Sequence, residues 1–67
     1  MEKIDLKIVQ LLAKGYKQNE VSKELKNKGV VPNSISIIEK RINKLKKKFN
    51  AKTNFHLAVL LTKEEFI

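Results

Sequence analysis

Between Pro32 and Ala51 the chain places Ile35, Ile38, Ile42, Leu45 and Phe49 at steps of three and four residues. That spacing gathers side chains on one face of an α-helix. At about 100° per residue, the opposite face carries Ser36, Lys40, Asn43 and Lys47, flanked by Ile37, Glu39 and Lys44. From Lys40 to Lys52 there are seven basic residues and no acidic one. A helix of this kind packs its apolar stripe on a small core and presents its cationic side to a polyanion. The rest of the chain is expected to be arranged around it.

Sixty-seven residues allow one domain, covering 1–67, near the lower limit at which a single core is stable without staples. The chain has no cysteine and one histidine, His56, so neither a disulfide nor a thiolate metal site is available. No metal or cofactor is expected. Nucleophile–base pairs, carboxylate pairs in a cleft and glycine-rich phosphate loops are all missing from the sequence, and so short a chain can hardly enclose a pocket of ordinary size. An enzyme is not expected. The net charge of +8 is unevenly placed: residues 1–39 carry +2, residues 40–52 carry +7 and residues 53–67 carry −1. A clustered excess is the electrostatic footprint of a nucleic-acid binder, whereas a scattered one argues only for solubility. No segment approaches the roughly 18 apolar residues of a membrane span. Glu2, Lys3 and Asp5 stand where a signal peptide would be apolar. A cytoplasmic location is the resulting expectation.

In chain order, residues 2–14 form a first helix, with Ile4, Ile8, Leu11 and Leu12 sharing a face and Gly15 as the stop. Residues 18–28 form a second, with Val21 and Leu25 buried, Ser22 small enough to lie against a neighbour, Lys17 a poor cap and Gly29 the stop. Residues 29–34 turn into the basic helix. Pro32 bars helix continuation there, and Val30 and Val31 are expected to close the core beneath the turn. Asn33, Ser34 and Ser36 compete for the N-cap of the third helix: Ser34 gives the longer version, while Ser36 with Glu39 has capping-box spacing. A fourth helix, 53–62, starts at Thr53 as N-cap. It is apolar nearly all round, so one side meets the core and the other needs a further partner. The fold class is all-α.

The runs LLAKGYKQNEVSKEL (Leu11 to Leu25) and IEKRINKLKKKFNAKTNFHLAVLL (Ile38 to Leu61) resemble the LuxR/FixJ-type helix-turn-helix domain of bacterial response regulators and quorum-sensing regulators. Leu11, Leu12 and Gly15 match the end of that family's first helix. Glu20, Val21, Ser22 and Leu25 match its second helix, and Ile38, Leu45, Lys48 and Phe49 its third. The resemblance implies a four-helix domain, a three-helix core plus a C-terminal dimerisation helix, with the third helix (about 34–49) in the major groove. It places base contacts on Glu39, Lys40 and Asn43 and a phosphate contact on Lys52, and it implies dimerisation through the fourth helix, at Phe55, Val59 and Leu60. Its implied partners are double-stranded DNA, a second copy of the chain and, for a response-regulator output domain, a receiver domain and RNA polymerase. The chain departs from the family at Ile37, Glu39 and Arg41, where threonine, a basic residue and histidine are usual. Its link between the second and third helices is longer by about six residues.

Independently of the resemblance, periodicity alone selects Lys40 and Asn43. Asparagine pairs bidentately with adenine and lysine reaches guanine acceptors. Lys44, Lys47 and Lys48 are phosphate candidates. Ser36 either bonds phosphate or caps the helix, and Glu39 either accepts from cytosine or completes the capping box. Ile37 either meets a thymine methyl or packs on the long turn, the latter being favoured. Arg41, the only arginine, either clamps a phosphate, the preferred reading, or pairs with an acid of the first two helices. His56 reads as a surface or interface residue. Phe49, Phe55 and Phe66 read as core or interface positions, not as exposed platforms for stacked bases. The expected function is sequence-specific double-stranded DNA binding for transcriptional regulation. The alternatives are a basic protein-interaction module without a specific DNA site and a sigma-factor-like promoter-recognition piece.

Overall fold

A computed structural model describes all 67 residues and contains four helices and no strand: α1 (Lys3–Ala13), α2 (Gln18–Asn27), α3 (Ile35–Phe49) and α4 (Asn54–Lys63). All four helices end alike. Gly15 (φ 97°), Gly29 (φ 67°), Asn50 (φ 56°) and Glu65 (φ 61°) take the left-handed conformation. The amide just beyond each returns to a carbonyl in the helix's last turn: Tyr16 to Leu11, Val30 to Leu25, Ala51 to Lys46 and Phe66 to Leu61. This closure satisfies carbonyls that the helix end would otherwise leave orphaned. Glycine is legible as a stop at the first two positions. At Glu65 the turn is made against intrinsic preference, and the last two residues of the chain are packed: the Phe66 ring meets Phe49 edge-on at 5.8 Å between centroids, and Ile67 lies against the core.

The starts of the helices differ more. Lys17 offers no acceptor, and the Glu20 carboxylate instead accepts the Lys17 amide at 2.9 Å, the returning half of a capping box. At α3 the choice falls on Ser34, whose Oγ accepts the Ile37 amide at 3.3 Å. Ser36 and Glu39 are therefore free of capping duty. At α4 the expected cap forms, with Thr53 Oγ1 accepting the His56 amide at 3.0 Å.

The core is Ile8 and Val9 from α1, Val21 and Leu25 from α2, Ile38, Ile42 and Leu45 from α3, and Leu57 and Leu61 from α4. α3 packs on each of the other three helices, so its roll is fixed from several directions. Two expectations about its N-terminal end are corrected. Val31 does not close the core: it is 76% exposed, while Val30 packs inward. Ser22, itself buried, donates to the Asn33 carbonyl at 2.6 Å, and the Asn33 amide group donates to the Val30 carbonyl at 2.9 Å. These bonds hold the turn with Val30 facing in, and in a non-helical segment the next side chain then faces out. Ile35 does not extend the buried stripe either, being 48% exposed. As the first residue of α3 its side chain tilts back toward the helix start, beyond the neighbours that cover Ile38.

Candidate nucleic-acid interface

The face of α3 opposite the core stands clear of the rest of the molecule. Ser36, Glu39, Lys40, Asn43, Lys44, Lys47 and Lys48 are all exposed, and Lys52 is exposed in the turn after the helix. Lys46, not among the expected contacts, is half-buried at the edge of the stripe. None of the six lysines between Lys40 and Lys52 has a carboxylate within ion-pairing distance; the lysine pair that does form, Lys28 with Glu24, lies at the C-terminal end of α2. Five lysines on a fixed helix and a sixth in the turn after it, with Glu39 the one carboxylate on the exposed face and not paired to any of them, make a surface that attracts an extended polyanion.

Arg41 departs from this set. Its Nη1 donates to Glu2 Oε2 at 2.8 Å and to Asp5 Oδ1 at 3.0 Å. The structure forms the ion pair with α1 that stood as the alternative to a phosphate contact, because Arg41 lies on the flank of α3 that meets the start of that helix. The hydrogen bond and charge of Arg41 hold the Glu2 carboxyl below its ordinary value, and the two carboxylates raise the guanidinium. The pairing also consumes the acids that would otherwise oppose the lysines. Between α1 and α3 it leaves an open groove of about 380 Å³ whose α3 wall includes Ile37, Lys40, Lys44 and Lys48. Ile37 therefore borders this groove, 37% exposed, and is not sealed beneath the long turn.

Lys52 is placed by a device absent from the sequence-based expectations. Its backbone amide donates to His56 Nδ1 at 3.1 Å, while the His56 amide is capped by Thr53. The imidazole thus acts as the returning acceptor of a capping-box-like turn, one residue further back than usual. The readable signal is a threonine N-cap with an acceptor-bearing residue three positions on.

The second expected surface, on α4, divides. Phe55 is 80% exposed and Val59 37%. One turn apart, they share the outer face and border a shallow groove with Ala13 of α1. Leu60 is half-buried, one residue and about 100° round from Val59, so it does not continue that strip. No three histidine, cysteine or acidic side chains are grouped as a metal site would require, and no helix is long and apolar enough to cross a membrane. Comparison with protein-family models, curated proteins and solved structures finds no match for the chain.

Proposed function

We propose that the chain is a helix-turn-helix domain that binds double-stranded DNA with α3 in the major groove, and that it regulates transcription as the output domain of a response regulator or as a small stand-alone regulator. The observation that carries this reading is the set of six lysines without carboxylate partners, on and just after a helix packed against the other three. Lys44, Lys47, Lys48 and Lys52 position the domain on phosphates, while Lys40, Asn43 and Glu39 face base edges. The exposed Ser36 hydroxyl does not cap the helix, and although it lies 3.4 Å from the Ser34 hydroxyl it adds a phosphate donor at the start of the helix. Arg41 is not part of the contact set. Phe55 and Val59 supply a self-complementary apolar strip through which two copies pair, giving a two-fold arrangement of half-sites.

The test is selection of bound duplexes from a random pool at near-physiological salt. Enrichment of an inverted repeat, with binding that weakens steeply as salt rises, is the expected result. Failure to enrich any sequence, together with capture of acidic proteins through the same lysines, would overturn it in favour of a protein-interaction module.

A further inference from the structure

We propose that Ile37 is a specificity-determining residue that reads the 5-methyl group of a thymine; the proposal rests on the DNA-binding reading above. Single exposed aliphatic side chains are ordinary on protein surfaces, so exposure alone carries nothing. The surroundings of Ile37 distinguish it from Val31, Ile35 and Phe55. Ile37, Lys40 and Lys44 stand at steps of three and four, one stripe along α3, and all three border the groove beside the start of α1. On its own helix the apolar group is thus set beside unpaired cations, while the carboxylates on the facing wall, Glu2 and Asp5, are taken up by Arg41; a protein partner's apolar surface would not favour that setting but a thymine edge would. In the major groove that base offers a methyl group close to a negatively charged backbone.

Position along the helix agrees. Ile37 is the third residue of α3, and the first residues of a recognition helix are those that reach base edges. Its backbone is fixed, because its amide is bonded to the Ser34 cap. A β-branched side chain in a helix is restricted to few rotamers, so the methyl-binding surface is formed before binding. Arg41, which could otherwise bring a charge into the same place, is held by Glu2 and Asp5.

The experiment uses the whole chain and a duplex recovered by the selection described above. Each thymine is replaced in turn by deoxyuridine, which removes the methyl and keeps the O4 acceptor and the base pair, and affinity is read by fluorescence anisotropy. In the unaltered protein, one thymine per half-site is expected to bind about fourfold more weakly as deoxyuridine, the factor for losing one buried methyl-sized group. Ile37→Ala should abolish that difference without changing the salt dependence. Ile35→Ala, exposed on the other flank of the same helix end, should keep it. Indifference to every replacement in the unaltered protein overturns the proposal, as does a difference that survives Ile37→Ala or disappears equally in Ile35→Ala. Salt-dependent binding without thymine sensitivity would overturn this inference alone, whereas recovery of no duplex would overturn the DNA-binding reading with it.

Discussion

α3 and α4 each present an outer face that the fold does not use, and the two faces are opposites. α3 buries one stripe, Ile38, Ile42 and Leu45, and surrounds it with lysine. α4 buries Leu57 and Leu61 and leaves Phe55 and Val59 on its outer side. The first face repels its own copy, and the second is the face through which the proposed dimer would form. Two copies can therefore approach through α4 while keeping their α3 surfaces apart, and salt acts on the two in opposite senses. Rising ionic strength screens the cationic face and leaves apolar contact intact.

The comparison breaks first if α3 is not the centre of the fold. Ile42→Ala removes buried volume at the middle of its stripe and should cost about 2–5 kcal/mol. That is the scale of total stability for a domain this small, so thermal melting followed by circular dichroism should lose its cooperative transition. Lys40→Glu combined with Asn43→Ala touches only the exposed face. It should leave melting unchanged and weaken binding to the selected duplex about a hundredfold, two contacts of roughly 1–3 kcal/mol each. Phe55→Asp should likewise leave the fold intact, since its ring is 80% exposed. In sedimentation it should convert dimer to monomer, and a dimer that persists would remove α4 from the interface.

Two smaller effects separate the cations from each other. Lys44→Ala should reduce the slope of log affinity against log salt by about 0.9. Arg41→Ala should leave that slope unchanged and lower the melting temperature, because its charge is already engaged by Glu2 and Asp5. The same clamp gives a mild acid sensitivity. The Glu2 carboxyl titrates below its usual value of 4.5 when folded, through its hydrogen bond to Arg41. Its contribution is therefore present in full above pH 4.5 and fades as pH falls through the lowered value. Glu2→Gln should flatten the decline of melting temperature with pH in that window, and an unaltered decline would show that the pair contributes nothing in solution.

The helical plan is legible in the sequence because its signals are local. Apolar spacing fixes the stripe of α3, and Gly15 and Gly29 mark two of the four helix ends. Asn50, directly after Phe49, is readable as a stop, since asparagine tolerates the left-handed region; Glu65 is not, since it takes its left-handed turn where Phe66 and Ile67 find packing. Val31 and Ile35 escape the pattern for a related reason: periodicity says which side chains share a direction, but not where the neighbouring helices end. The candidate surface is legible as a lysine cluster. The exclusion of Arg41 from it is not, because its partners lie 36 and 39 residues away and only the packing of α1 on α3 brings them together.

That exclusion divides the positive charges of this region by chemistry. The internal pair uses a guanidinium, which keeps its charge at any physiological pH, whereas every exposed cation on and after α3 is a primary amine. Acylation of amines removes their charge and cannot touch the guanidinium. An acylating enzyme or reagent would therefore erase the outward-facing charge one lysine at a time while the contact between α1 and α3 stayed whole, leaving a folded domain with its attraction for polyanions turned down in steps.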